Sequence, residues 1–167
     1  MAAPLTIRPT TGADEDRIWS LLEPVFRAGD TYAIEPDIPR EQALAYWTGA
    51  PHRAFLAQAE QALGTYYLRP NQRGGGAHVA NAGFITSPAA RGRGIARAML
   101  HHAEDLARQA GFLAMQFNFV VGTNAAALHI WYSEGYAEVG RLPRAFRHPA
   151  QGLVDAYVLM KDLSPEL

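Results

Sequence analysis

The stretch Ile85-Thr-Ser-Pro-Ala-Ala-Arg-Gly-Arg-Gly-Ile-Ala96 leads from the end of an apolar strand into the start of an amphipathic helix. Gly92 and Gly94 lack a Cβ atom, so backbone N–H groups here can approach an anion closely. The first N–H groups of the helix have no partner within it, and the helix dipole favours negative charge beside them. Three basic side chains add positive charge nearby: Arg91, Arg93 and Arg97. The stretch predicts a pyrophosphate-binding turn; the alternative is that the glycines only shape a turn whose arginines face solvent.

The elements around this turn predict a mixed α/β domain. The helix Arg93–Ala110 follows the strand Ala77–Thr86 and precedes the strand Ala114–Val121, an arrangement that requires a right-handed parallel crossover. The remaining hydrophobic spacing predicts the strands Leu5–Arg8, Ala54–Ala59, Ala62–Leu68, Tyr136–Leu142 and Val154–Lys161, and the helices Asp14–Phe26, Arg40–Trp47 and Asn124–Glu134. We expect irregular connections at Ala28–Pro39, Arg69–Gly76 and Pro143–Gly152.

Composition narrows the class of function. A chain of 167 residues fits a single domain over 1–167, and its net charge of -1 indicates no nucleic-acid or membrane partner. There are no cysteines, which removes a thiol nucleophile and favours direct transfer between bound reactants. We expect a cytoplasmic protein because the N-terminus has no apolar signal core. No metal-ligand spacing stands out among the histidines, so we expect no metal.

Two segments resemble the motifs of the GCN5-related N-acetyltransferase (GNAT) family. Arg91-Gly-Arg-Gly-Ile-Ala96 matches Q/R-x-x-G-x-G/A, and Asn124-Ala-Ala-Ala-Leu-His-Ile-Trp-Tyr-Ser-Glu-Gly-Tyr136 resembles N-x-x-A-x-x-L-Y-x-x-x-G-F. The resemblance implies a mixed, mostly antiparallel sheet of six to seven strands with about four helices, in which two parallel strands splay apart. It also implies an acetyl-CoA-dependent N-acetyltransferase acting on a small amine, with a role in detoxification and a possible homodimer.

The resemblance also assigns residues to acetyl-CoA. The backbone of the turn would hold the pyrophosphate, through Arg91, Gly92, Arg93, Gly94, Ile95 and Ala96. The strand end Phe84, Ile85 and Thr86 would pair with the pantetheine arm. Asn124 would contact the pantetheine near the thioester and belong to the catalytic set, and its alternative role is that of a helix N-cap.

Two further asparagines interrupt apolar strands, where asparagine is uncommon. By strand alternation, Asn81 shares a face with Val79 and Gly83, while Asn118 shares one with Gln116 and Val120. In the resembling family these strands splay, so both amides could line the gap. We assign Asn81 to catalysis and acceptor binding, and Asn118 to acceptor binding and support of the cofactor; the alternative is a pair of satisfied core amides.

The spacing of His78 and Asn81, of Phe117 and Phe119, and of Asn124 has a narrower resemblance. It is similar to the branch of GNAT enzymes that acetylate cyclic secondary amines such as azetidine-2-carboxylate and proline analogues.

The tyrosine with which the family commonly protonates the departing thiolate falls at Trp131. An indole N–H is not a comparable acid, so we assign this role to the adjacent Tyr132, with water or backbone as alternatives. A non-catalytic acyl-CoA sensor and a peptide or protein N-acetyltransferase remain alternative functions.

The general base is open among Glu35, Asp37, His78, Asp155 and a water relay. Glu35 is also assigned to acceptor binding because it lies in the predicted acceptor loop. Arg144, in a basic cluster with Arg141, Arg147 and His148, is assigned to a substrate carboxylate; the alternative is a solvated basic loop.

Overall fold

A computed structural model describes residues 3–165 as one seven-stranded sheet with helices on both faces. In chain order the elements are β1 (Thr6–Pro9), α1 (Glu15–Ala28), α2 (Arg40–Thr48), β2 (Arg53–Gln58), β3 (Ala62–Pro70), β4 (Val79–Thr86), α3 (Ile95–Gln109), β5 (Ala114–Val121), α4 (Ala125–Ser133), β6 (Ala137–His148) and β7 (Gly152–Asp162). The strand order is β1-β2-β3-β4-β5-β7-β6. Within residues 3–165 only β4 and β5 pair in parallel, which confirms the predicted mixed α/β class.

Helix α3 makes the crossover between these two strands. Gly94 precedes it with φ 75° and Gly111 follows it with φ 86°, so a left-handed residue bounds each end. Its inner face buries Met99, Leu100 and Ala103 against the sheet. The amphipathic pattern and both boundary glycines were visible in the sequence, and the predicted helix agrees within two residues.

The two faces of the sheet carry separate cores. On the face covered by α3 and α4, the large buried side chains are Tyr66, Leu68, Met99, Met115, Phe117, Trp131 and Leu159. On the face covered by α1 and α2, they are Leu22, Phe26, Trp47, Leu56, Tyr67 and Ile85. None of the helices within residues 3–165 is long and apolar enough to cross a bilayer.

The prediction of an irregular segment over Pro143–Gly152 is wrong. Strands β6 and β7 form a continuous hairpin in which Phe146 pairs with Val154 and His148 with Gly152. A register shift between Leu142 and Phe146 absorbs the proline, which cannot donate to a ladder. Phe146 is buried and holds the outer half of the hairpin in register. Strand β3 likewise extends to Pro70, beyond its predicted end at Leu68.

Candidate active site

The parallel strands β4 and β5 separate shortly after they meet. Their ladder consists of two register pairs, Val79 with Ala114 and Ala80 with Met115. Each strand keeps its outer neighbour, β3 for β4 along its length and β7 for β5 on both sides of a register shift between Phe117 and Val120. The gap therefore opens inside the sheet, between two strands that are otherwise firmly held.

The alternation of β4 decides which backbone groups face this gap. The Asn71 N–H donates to the Val79 carbonyl at 2.7 Å, and the Ser87 N–H donates to the Leu63 carbonyl at 2.8 Å. These bonds fix every second residue as bonded to β3, so the intervening residues turn their polar groups toward β5. The second set comprises Ala80, Ala82, Phe84 and Thr86. Ile85 faces Thr65 of β3 instead, so the geometry does not support a backbone contact from Ile85 to a cofactor.

Asn81 closes the apex of the gap. Its side-chain amide donates to the Gln116 carbonyl at 2.9 Å, on the strand from which the backbone of β4 has begun to diverge. Its Oδ1 accepts from Nε of Arg69 at 3.2 Å. Only 5% of Asn81 is exposed, and both ends of its amide are bonded. The Asn81 side chain thus links β4 to β5 at the point where the backbone hydrogen bonds between the two strands end.

Asn118 extends this network on β5. Its Oδ1 accepts from the Gln116 side chain at 3.0 Å, and its amide donates to Oδ1 of Asn71 at 2.6 Å. Asn118 and Gln116 share a face, as predicted, but Val120 does not join them. Pairing with β7 shifts register between Phe117 and Val120, and both of these residues pack into the same core. A bulge therefore reverses the alternation after Asn118.

A cavity of about 240 Å³ occupies the gap. Its walls are aromatic, aliphatic and amide side chains together with the segment 31–34 between α1 and α2: Thr31, Tyr32, Ala33, Ile34, Tyr46, Tyr67, Arg69, Asn81, Ala82, Gly83, Phe84, Phe117, Asn118, Phe119, Val120, Val121, Asn124, Ala127 and Trp131. The three asparagines singled out in the sequence therefore meet here. The hydroxyl of Tyr32 donates to the Phe84 carbonyl at 3.1 Å and fastens the segment to β4.

Sequence reasoning missed several lining residues, and Tyr32 and Arg69 are the two with polar contacts to β4. Tyr32 carried no pattern that distinguished it from the rest of its loop. Arg69 was placed in a predicted loop, whereas it is the register partner of Asn81 within β3. Only the pairing of β3 with β4 identifies Arg69 as a neighbour of Asn81, and the sequence alone did not predict that pairing.

The glycine-rich turn has the form that the sequence predicts. Gly92 and Gly94 have φ of 74° and 75°, where other residues are strained. The N–H groups of Gly92, Gly94, Ile95 and Ala96 donate to no other backbone group of residues 3–165. These N–H groups are next to the exposed Arg91 and Arg93 in the chain, and unbonded backbone donors at a helix N-terminus beside positive charge suit an anion. Ile95 itself is buried in the core, so its contribution would come through its backbone.

Arg97 does not add its charge to this turn as expected. Its guanidinium pairs with Glu134 at 2.5 Å and donates to the Ser133 hydroxyl at 2.9 Å, both at the end of α4. His101 and Arg97 lower the pKa of Glu134, chiefly through the hydrogen bond from His101. The pair ties α3 to α4.

Asn124 is the N-cap of α4, since its Oδ1 accepts from the Ala127 N–H at 3.3 Å. This was one of its two predicted roles. Its Nδ2 has no hydrogen-bond partner among the residues that the structure describes, and the residue lines the cavity. The cap uses Oδ1 and leaves Nδ2 without a bond to the described residues.

Trp131 and Tyr132 point to different environments. Trp131 is buried, lines the cavity and packs against Phe84 with ring centroids 5.3 Å apart. Tyr132 is 44% exposed and its hydroxyl donates to Glu138 at 3.4 Å. Partial burial and the Glu138 carboxylate raise the pKa of Tyr132, which makes it a weaker acid. The structure does not bring Tyr132 to the cavity.

None of the proposed bases lines the cavity. Glu35, Asp37 and His78 are exposed, and Glu35 lies just beyond the lining segment 31–34. Asp155 accepts from the Arg144 N–H at 2.8 Å and pairs with Arg141. These two contacts lower the pKa of Asp155, so its carboxylate is a weak base.

Arg144 is exposed, with φ 53°, and lies in the bulge of the β6–β7 hairpin. It is not part of the cavity lining, and neither are Arg141, Arg147 and His148. The structure therefore does not bring the assigned carboxylate-binding cluster to the cavity.

Comparison with known proteins agrees with this geometry. The sequence model of the Acetyltransferase (GNAT) family matches residues 16–136. A GCN5-related N-acetyltransferase from Kribbella flavida has a TM-score of 0.89 and 39% identity, over 95% of this chain and 97% of that chain. The structure of yncA from Salmonella typhimurium with acetyl-CoA has a TM-score of 0.85, over 99% of this chain and 97% of that one; at 17% identity it shows the shared fold.

The N-acetyltransferase aca1 of Schizosaccharomyces pombe is 34% identical over 97 residues, which are 58% of this chain and 46% of the yeast protein. The chain thus spans less than half the length of this relative. The family model covers most of the chain, including the glycine-rich turn and both diverging strands. This protein belongs to the GNAT family of acetyltransferases.

Proposed function

We propose that the protein transfers the acetyl group of acetyl-CoA to the amine of a small molecule, with a cyclic secondary amine such as azetidine-2-carboxylate or a proline analogue as acceptor. The observation that carries the proposal is the cavity at the divergence of β4 and β5. Its volume is about 240 Å³, and pockets for drug-sized ligands typically have volumes of about 300 Å³ or more. The segment 31–34 borders it, which favours a compact acceptor over an extended peptide.

The residues present fit acetyl-CoA. The free N–H groups at Gly92, Gly94 and Ala96 suit a pyrophosphate. The open edge of β4 at Ala82, Phe84 and Thr86 suits an extended arm that bonds like an added strand. Asn124 lines the same cavity, and its Nδ2, which is not used by the helix cap, would supply a donor beyond that edge.

Acetyl-CoA supplies an activated acyl group as a thioester. The amine nitrogen bonds to the acyl carbon, the carbon–sulfur bond breaks, and the amine proton passes to solvent. The Phe84 N–H is a donor directed into the gap and stabilises the oxyanion that forms. Asn118 and Asn81 form the polar wall against which the acceptor is oriented. No carboxylate or imidazole of the described residues 3–165 lines the cavity, so water carries the proton in this proposal.

A non-catalytic acyl-CoA sensor is the second candidate. The observation in its favour is that Trp131 stands in the cavity where the family tyrosine is expected, while Tyr132 lies outside it. Turnover separates the two functions, because a sensor binds acetyl-CoA without consuming it.

Thiol release from acetyl-CoA, followed with a disulfide reagent, tests the proposal directly. The chain has no cysteine, so every new thiol comes from CoA. The acceptors are azetidine-2-carboxylate, proline analogues, primary amino acids, polyamines and short peptides. Release with one small-amine class supports the proposal. Release with peptides alone supports the peptide acetyltransferase, and tight acetyl-CoA binding without release supports the sensor.

A matched variant tests the assignment of Asn124. Asn124→Ser keeps a side-chain oxygen for the N-cap but removes Nδ2. We expect an unchanged melting temperature and a KM for acetyl-CoA raised about 2- to 10-fold, the effect of one hydrogen bond. An unchanged KM would restrict Asn124 to its role as a cap.

A further inference from the structure

Among residues 3–165, Arg69 is the one charged side chain in the lining of the cavity. Its single hydrogen bond within residues 3–165 runs from Nε to Oδ1 of Asn81 at 3.2 Å. No carboxylate of the described chain pairs with it. Two arginines of this chain are not exposed, Arg8 and Arg69, and Arg8 is paired with Asp14 at 2.8 Å. Arg69 is therefore a half-buried cation for which residues 3–165 provide no counter-ion.

The bond to Asn81 orients the guanidinium. Arg69 and Asn81 are register partners on β3 and β4, so their side chains lie on the same face of the sheet. Because Nε is occupied, the two terminal nitrogens remain as a planar pair of donors. A planar pair of this kind matches the two oxygens of a carboxylate.

The electrostatics point the same way. Burial and the uncompensated charge of Arg69 together lower the pKa of His52, whose ring stacks on Tyr67 at 4.0 Å. Tyr67 is itself part of the lining, two residues before Arg69. The positive field of Arg69 therefore extends along this wall of the cavity. This field stabilises an anionic group bound here and destabilises a second cation.

We infer that Arg69 binds the carboxylate of the acceptor, so that the acceptor is an amino acid rather than a simple amine. The inference rests on the proposed function and specifies its substrate class. It also identifies the anion-binding residue, on β3 rather than in the β6–β7 hairpin. Polyamines carry only positive charge and are disfavoured here, and a peptide N-terminus lacks a carboxylate next to its amine.

Pairs of acceptors that differ only in the carboxylate test the inference: azetidine-2-carboxylate with azetidine, and proline with pyrrolidine. For the native protein we expect kcat/KM for each acid to exceed that of its partner about 10- to 100-fold, as expected for a charge-assisted bidentate contact. Arg69→Gln should bring the ratio to within about 3-fold, mainly through KM, and Arg69→Lys should retain part of it. Comparing ratios between proteins cancels the intrinsic reactivity of each amine.

Arg73→Gln is the matched control, since Arg73 is exposed, carries the same charge and lies outside the lining. It should keep the native ratio, and KM for acetyl-CoA and the melting temperature show that each variant is folded. An equal loss of both acceptors in Arg69→Gln would overturn the inference by making Arg69 a structural residue. A native enzyme that acetylates both members equally would overturn it while leaving the proposed function intact. Absence of thiol release from every amine would overturn both.

Discussion

Replacing Asn81 with alanine tests whether a side chain holds the two diverging strands at their apex. The substitution removes the bond of 2.9 Å to the Gln116 carbonyl and the bond of 3.2 Å from Arg69. The carbonyl faces an interior in which Asn81 is only 5% exposed, so leaving it unbonded costs about 1–3 kcal/mol. Arg69 is partly exposed and can bond to water instead, so the loss of its bond to Asn81 adds little to this cost.

We therefore expect the free energy of unfolding to fall by about 1–3 kcal/mol. For a domain of this size that corresponds to a melting temperature lower by about 2–12 °C. The acceptor should also bind more weakly, because Arg69 loses the bond that orients it. Thermal unfolding measures the first effect, and KM for the acceptor at saturating acetyl-CoA measures the second.

Asn71→Ala is the control, since it removes one bond at the partly exposed end of the same network. Its melting temperature should fall by no more than a third as much. A native-like melting temperature for Asn81→Ala would refute the account of the apex. A lower melting temperature with an unchanged acceptor KM would confine Asn81 to a structural role.

Three further outcomes are expected. Gly94→Ala forces a φ of 75° on a residue with a Cβ and should lower stability by about 1 kcal/mol, as should Gly111→Ala at φ 86°. Only Gly94→Ala should raise KM for acetyl-CoA. An equal rise of KM in both variants would show that the turn is not part of the cofactor site. Asp14→Asn should destabilise the protein by about 2 kcal/mol at pH 7. Arg8, which donates two bonds of 2.8 Å, lowers the pKa of Asp14, so the native advantage exists above the unfolded pKa and is lost as pH falls through the folded one. Urea unfolding at pH 7, 5 and 3 checks this, and a difference independent of pH would contradict it. Tyr132→Phe should keep kcat and stability, since the hydroxyl lies outside the cavity; a hundredfold loss of kcat would restore it as the general acid.

Local patterns were sufficient for the parts of the site that depend on neighbours in sequence. The glycine-rich turn follows from residues 91–96, because positive φ and unbonded helix N–H groups are consequences of a few adjacent residues. The N-cap at Asn124 and helix α3 follow in the same way. The family resemblance added a mixed, mostly antiparallel sheet with one splayed parallel pair, which the structure confirms.

Contacts between strands that are distant in sequence could not be predicted from local patterns. The partnership of Arg69 with Asn81 depends on how β3 pairs with β4, and the face of Val120 depends on a bulge opposite β7. Neither leaves a trace in the spacing of apolar residues. A local cluster of basic residues favours Arg144 as the residue that binds a carboxylate. The basic side chain that lines the cavity is instead Arg69, on β3.

The bond from Asn81 to the Gln116 carbonyl also bears on how such a protein changes over generations. A backbone ladder can be lengthened or shortened only by moving a whole strand. Here the point at which two strands part is set by the reach of one side chain, and a single codon decides that reach. A substitution at this one position can therefore widen or narrow the cleft without rebuilding the sheet, and the glycine-rich turn lies beyond the other end of β4, after Thr86.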